Sequence, residues 1–235
     1  MSDFLGSCMK RGVSIIILRT LPVFHGLADE TLARVAGAAS LRGVARGEVV
    51  MNEGDRADNV YFILSGDFRV LVGDDEGREV ILSVMRFGDF FGEMGVIDDY
   101  SRSATVQAVH PGELVVIAKS DFRSILVDSS DISLQIMRSL VSRLRTASRK
   151  IESLALLDVY GRVARLLLDL SEKTSDGIWV VSQPPSKQDI AKMIGASREM
   201  VSRVMKELQE QGLIHEGGGR LIILDDCGAK RFEFD

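Results

Sequence analysis

The 235-residue chain is 46% hydrophobic and 27% charged, has a net charge of −5 and holds two cysteines, Cys8 and Cys227. These values describe a globular protein of one large or two modest domains, long enough to bury its cores unaided. They exclude a disulfide framework, a CxxC metal site and a multi-cysteine iron–sulfur cluster.

The apolar run 13–18 is broken by Ser14 and followed by Arg19. It falls far short of the ~20 residues that span a bilayer, and it lacks a small-residue cleavage site. A cytoplasmic protein with no membrane partner is therefore expected. From 21 to 39 a helical rhythm appears in Pro22, Leu27, Leu32, Val35, Ala36 and Ala39, with Asp29 as its expected cap.

Between 41 and 117 short β-rich runs (48–51, 60–64, 68–72, 80–84, 104–109 and 114–117) alternate with glycine turns. That texture predicts a barrel, roll or sandwich, with 68–72 and 80–84 forming a hairpin through 73–77.

A long helix is predicted over 132–157. Met137, Leu140, Leu144, Ala147, Ile151 and Leu154 recur at steps of three and four, the seam of a helix that pairs with a copy of itself. A helix packed on its own domain gives a similar pattern. Pairing is preferred because residues 138–150 carry Arg138, Arg143, Arg145, Arg149 and Lys150 and no acid. Small Ala147 beside polar Ser148 breaks the seam and leaves room for another group.

A further helix is expected over 159–172, with Val163, Leu166, Leu167 and Leu170 inward, then a strand at 178–182. Next, Ser186 can cap a short helix ending near Ile194, Gly195 and Ala196 supply a turn, and Ser197 caps a second helix. Met200, Val201, Val204, Met205 and Leu208 form that helix's expected buried stripe, leaving Arg198, Glu199, Ser202, Arg203 and Lys206 outside it. This is the pattern of a helix-turn-helix. Arginine offers guanine a two-pronged donor, and glutamate accepts from cytosine. The runs 213–215 and 220–224, flanking Glu216 and three glycines, would form a wing.

The stretch Ser197-Arg198-Glu199-Met200-Val201-Ser202-Arg203 followed by Gly212-Leu213-Ile214 resembles the recognition helix of the catabolite activator (cAMP receptor protein)/FNR superfamily, catabolite-activator branch. The resemblance runs over about 21–224 and includes Leu156 to Val159 and Gly161-Arg162 at the hinge. It implies an α+β protein: a jelly-roll-like cyclic-nucleotide-binding β-roll over 1–131, a dimerisation helix and hinge over 132–157, and a winged helix-turn-helix over 158–235. It further implies a homodimer on palindromic double-stranded DNA with TGTGA-type half-sites read by Arg198, Glu199 and Arg203, and RNA polymerase as a partner.

Phe91-Gly92-Glu93-Met94-Gly95, then Ser101-Arg102-Ser103-Ala104, form a second motif. A glycine-flanked turn offers main-chain N–H groups to an anion, Arg102 can pair with phosphate, Ser103 adds a donor and Glu93 suits a ribose hydroxyl. An Arg102–Glu93 structural ion pair would use the same residues. Order and spacing resemble the family's phosphate-binding cassette, implying that Gly92 and Glu93 meet ribose while Arg102 and Ser103 meet the cyclic phosphate. Arg102→Ala is then expected to remove the ligand response without disturbing the fold.

The family's Thr-Ser pair, which touches adenine across the dimer, falls on Ala147-Ser148, so the threonine is missing. One lost neutral hydrogen bond costs roughly 0.5–1.5 kcal/mol. cAMP ranks first as effector, with cyclic di-GMP the rival; Arg145 and Arg149 flank the seam and suit a second phosphate. A haem sensor lacks a ligand pattern, since His25, His110 and His215 are scattered and expected on loops or surfaces. No GxSxG, HExxH or Walker loop is present, so neither catalytic nor metal-binding residues are assigned. A regulatory module that binds ligand without DNA would share the roll and lack the helix-turn-helix.

Overall fold

The computed structural model describes residues 11–175, 177–217 and 219–223. They form two compact units that divide between Ser142 and Arg143. The first opens with strand β1 (Arg11–Gly12), helix α1 (Ile15–Thr20), a 3-10 turn (Pro22–Phe24) and α2 (Asp29–Ala38). There follow β2 (Ala39–Val44), β3 (Val49–Met51), β4 (Asn59–Ser65), β5 (Phe68–Gly73), β6 (Glu79–Met85), β7 (Phe90–Phe91) and α3 (Glu93–Asp98). Then come β8 (Thr105–Ala108), β9 (Gly112–Ala118), α4 (Lys119–Asp128) and α5 (Ser130–Leu156).

Two antiparallel sheets, ordered β1-β2-β9-β4-β7 and β3-β8-β5-β6, make the roll. Side chains alternate across a strand, so β4 sends Val60 and Phe62 one way and Tyr61 and Ile63 the other. Val60 and Phe62 pack with Phe24, Phe90 and Phe122 beneath the helices; Tyr61 and Ile63 pack with Phe68, Phe91 and Leu114. Both faces of β4 are covered, which is why 60–64 reads as an unbroken apolar run. Phe62 lies 5.1 Å from Phe24, 5.7 Å from Phe90 and 6.3 Å from Phe122 between ring centroids.

The predicted hairpin is β5–β6, with Gly73 opposite Glu79. Asp74 closes its turn, accepting at Oδ1 from the main-chain N–H groups of Glu76 and Arg78.

Helix α5 crosses the division between the units. Ile132 and Ile136 are buried in the first core and Leu140 packs against it. Met137, Leu144, Ile151 and Leu154 are more than half exposed.

The second unit continues with α6 (Val159–Leu170), β10 (Glu172–Lys173), β11 (Trp179–Val181), α7 (Lys187–Ile194), α8 (Arg198–Glu210), β12 (Ile214–Gly217) and β13 (Arg220–Ile223). Its sheet runs β10-β11-β13-β12. Three helices cover one core in which Val163, Leu167, Ile190, Val201, Met205 and Leu221 meet. Asp158 caps α6, its Oδ1 accepting from Gly161 N at 2.8 Å.

Several expectations are corrected. The rhythm over 21–39 is not one helix: a 3-10 turn precedes α2, and Ala39 already belongs to β2. The N-cap of α2 is Ala28, while Asp29 stands inside the first turn and pairs with Arg19. An acidic group there still opposes the positive end of the helix dipole. Helix α6 stops at Leu170, because Glu172 and Lys173 pair with Val180 and Trp179 as β10. Strand β12 extends to Gly217, which sits opposite Arg220. Met200 is not buried but 43% exposed. Cys8, Cys227 and the tail from 224 lie outside the described residues.

Candidate functional site

Strand β7 pairs with β4, Phe91 opposite Tyr61, and delivers the chain to Gly92. Gly92 caps α3 in the left-handed region at φ 81°. A Cβ there would stand 2.6 Å from Arg102 Nη1 and 3.1 Å from Asn59 O, so only glycine fits. Arg102 is 4% exposed; its Nη1 donates to Gly92 O at 2.6 Å and its Nη2 to Asn59 O at 2.8 Å. Its Cζ lies 5.8 Å from the Tyr61 ring centroid. Its own backbone is pinned to the 54–55 turn by Arg102 N to Asp55 O and Gly54 N to Arg102 O.

Glu93, 3% exposed, opens α3. Ser103 is exposed and its Oγ donates to Met94 Sδ at 3.7 Å. Gly92, Glu93, Arg102 and Ser103 are thus gathered around the first turn of α3, where leading N–H groups have no intrahelical acceptor. Carbonyls fix the buried guanidinium in place, an arrangement that would offer a positioned cation to a phosphate.

The other end of α3 is held by α4. Arg123 donates from Nε to Val96 O at 2.8 Å and from Nη2 to Ile97 O at 3.2 Å and Asp99 Oδ2 at 2.7 Å. Lys119 Nζ lies 2.6 Å from Asp99 Oδ1. Hydrogen bonds from Lys119 and then Arg123 hold the Asp99 carboxyl down to about 2. Asp99 itself has φ 66°, rare outside glycine.

In the second unit, Ser186 caps α7 by accepting from Asp189 N at 3.1 Å. Gly195, left-handed at φ 65°, ends it, and Ser197 caps α8 by accepting from Met200 N at 3.2 Å. Val201, Val204, Met205 and Leu208 face the core. Arg198, Glu199, Arg203 and Lys206 are exposed and Ser202 is half-buried. Lys206 pairs with Glu210 one turn on, at 3.4 Å. The hairpin β12–β13 stands in sequence where the wing was expected.

Ala147 and Ser148 are exposed on α5, and Ser148 Oγ donates to Leu144 O at 3.0 Å. His25, His110 and His215 are exposed; His110 Nδ1 lies 2.9 Å from Asp67 Oδ2. No helix among the described residues is long and apolar enough to cross a membrane.

Sequence reasoning missed Asn59, Tyr61, Asp99, Lys119 and Arg123. Asn59 acts through its main-chain carbonyl, which no side-chain pattern announces. Asp99 carried one signal, an acid beside a tyrosine and a serine just before Arg102.

The chain matches two family models: a cyclic nucleotide-binding domain over residues 41–129 and a Crp-like helix-turn-helix domain over 161–228. It is 38% identical to the cAMP-activated global transcriptional regulator Vfr of Pseudomonas aeruginosa, over 74% of this chain and 84% of the relative. It is 34% identical to the cAMP-activated regulator CRP of Escherichia coli O157:H7, over 74% and 84%. Among solved structures, the c-di-GMP-responsive global regulator CLP of Xanthomonas campestris superposes with a TM-score of 0.72 at 30% identity, covering 84% of this chain and all of that one. Nucleotide-binding roll, capped helix-turn-helix and these likenesses agree: the chain belongs to the Crp/Fnr family of transcription regulators.

Proposed function

We propose that the protein is a homodimeric regulator that binds palindromic DNA with TGTGA-type half-sites in response to cAMP. The observation that carries the effector reading is the buried Arg102, held beside Gly92, Glu93 and Ser103 at the opening of α3. In this reading Gly92 and Glu93 meet the ribose and Arg102 and Ser103 the cyclic phosphate. The effector named for Vfr and CRP, cAMP, supports the choice of nucleotide.

The working divisions are a sensor over 1–131, a dimerisation helix and hinge over 132–157 and a DNA-binding domain over 158–235. Exposed Leu144, Ile151 and Leu154 supply the apolar seam between copies. Ser148 of one copy touches the effector held by the other, with Ala147 in the place of the family's threonine. Effector binding favours one arrangement of the seam and hinge, setting two copies of α8 into major grooves about 34 Å apart. Ser197, Arg198, Glu199, Ser202, Arg203 and Lys206 form the DNA surface. RNA polymerase is the further partner, the cytoplasm the place of action, and no catalytic step is assigned.

Cyclic di-GMP is the second reading. Exposed Ala147, flanked by exposed Arg145 and Arg149, leaves space and cationic charge for a larger bis-phosphate ligand, and CLP is described as responsive to it. Parallel calorimetric titrations with cAMP, cGMP and cyclic di-GMP test both. Tight binding of cAMP alone supports the first reading, and preference for cyclic di-GMP replaces it with the second. Silence from all three removes cyclic-nucleotide control, and sedimentation of the same sample as a monomer removes the homodimer.

A further inference from the structure

We infer that Met200 is a specificity-determining residue whose side chain packs on the C5-methyl group of a thymine in each DNA half-site. The inference rests on the proposed role of α8 as the DNA-reading helix and goes beyond it, since the apolar pattern had assigned Met200 to the core. Val201, Val204, Met205 and Leu208 complete the buried stripe of α8 without it. Met200 is 43% exposed, on the first turn, with its main-chain N–H donated to the Ser197 cap. Its neighbours there include exposed Arg198, Glu199 and, one turn on, Arg203.

Covering the exposed part of an apolar side chain contributes about 25 cal/mol per Å² removed from water, so Met200 gains from an apolar target placed against it. The first turn of a recognition helix is the part that reaches base edges in the major groove. Of the four bases, thymine alone presents a methyl group there, and apolar contact is how it is read. Unbranched methionine adapts its thioether to such a target. Arginine and glutamate beside it spend their charged ends on donors and acceptors, whereas the whole Met200 side chain is apolar and suited to the methyl.

The test begins with full-length protein selecting duplexes from a randomised palindromic pool, with cAMP and separately with cyclic di-GMP present. Each thymine of one enriched half-site is then replaced singly by deoxyuridine, which deletes only the methyl. The expected result is one position at which wild type loses about three- to fourfold in affinity, the value of one buried methyl. Met200→Ala should be indifferent to that replacement, and Met200→Leu should restore the sensitivity. An equal loss in wild type and Met200→Ala, or a flat profile in wild type, overturns the assignment while leaving α8 as the DNA-reading helix. Enrichment of no sequence in either pool overturns that role for α8, and the Met200 contact with it.

Discussion

Arg123 Nη2 lies 2.7 Å from Asp99 Oδ2, and the same guanidinium donates to the carbonyls of Val96 and Ile97. The carbonyls that end a helix lack intrahelical donors, and one planar fork of N–H groups here serves three acceptors. Helix α3 begins at the proposed effector cassette and ends on α4, which leads through Ser129 into α5. The cassette is therefore built against the element that continues into the proposed dimer seam.

That relationship has a pH signature. The Asp99 carboxyl is lowered from 3.8 to about 2 in the folded protein. A carboxylate depressed by folding stabilises fully above its unfolded pKa, and the contribution fades as pH falls through 3.8 toward 2. Asp99→Asn keeps a residue that tolerates φ 66° while removing the charge. Its urea midpoint is expected to lie below that of wild type at pH 7 and pH 5, with a gap that narrows between pH 4 and pH 3. A gap equally wide at pH 3 and pH 7 would show that the carboxylate charge is not what the clamp uses.

Arg102, the proposed phosphate ligand, also supports the structure around it. The expectation that Arg102→Ala leaves folding untouched does not survive its two bonds to Gly92 O and Asn59 O, both in a site where the side chain is almost wholly buried. Two carbonyls lose a charged donor, and a hydrogen bond to a charged group contributes about 1.5–3 kcal/mol. Arg102→Lys keeps a cation but not the planar fork. Arg102→Ala is expected to melt several degrees lower and to lose effector response. Arg102→Lys should fold better than alanine yet bind effector about tenfold or more weakly, the worth of one charge-assisted bond. Calorimetry on both variants checks this, and wild-type effector affinity in either removes Arg102 from the phosphate site.

Gly95 lies inside α3, where glycine is ordinarily replaceable by alanine. Here a Cβ would stand 2.4 Å from Tyr100 O, 2.8 Å from Ala57 Cβ and 3.1 Å from Ser101 O. None of these is the loose end of a flexible side chain, so the 99–102 segment must move. Because Arg102 follows directly, Gly95→Ala is expected to lower stability by about 1–3 kcal/mol as an overpacked site and to weaken effector binding. Gly37→Ala on α2, with nothing within 4 Å of its would-be Cβ, is the control and should be neutral or stabilising. Thermal melts with and without cAMP distinguish the pair.

What the sequence made legible was whatever depends on spacing along one element. Ser186, Gly195 and Ser197 act within a few residues of themselves, so the helix-turn-helix could be read to the residue. The β5–β6 hairpin was visible for the same reason, through Asp74 and its turn. Strand β2 and two-residue β7 were not, because their identity comes from pairing with β9 and β4, distant in sequence. The cassette residues were recognisable as a motif, but their mutual support was not. Arg102 is bonded by main-chain oxygens, and the α3–α4 clamp joins residues 24 positions apart. Met200 was misplaced because periodicity marks apolar residues without telling a buried flank from an exposed one.

Arg203 and Lys206 are both exposed on α8, yet they should differ in kind on DNA. Arg203 carries the planar fork suited to guanine, and in the proposed role its loss should cost roughly 1–3 kcal/mol at one base pair while relaxing preference there. Lys206 is a point charge shared with Glu210 at 3.4 Å, an exposed pair of little worth that phosphate can displace. Lys206→Ala should weaken specific and non-specific duplexes alike and lower the slope of log K against log salt by about one. Arg203→Ala should leave binding to non-specific duplex near that of wild type except for its charge, with the loss concentrated on duplexes carrying the preferred base. Titrations of both variants at several salt concentrations, on matched and single-substituted duplexes, separate the two behaviours. If Arg203→Ala keeps full discrimination at every position, its guanidinium meets the backbone and the reading of α8 passes to Arg198 and Glu199.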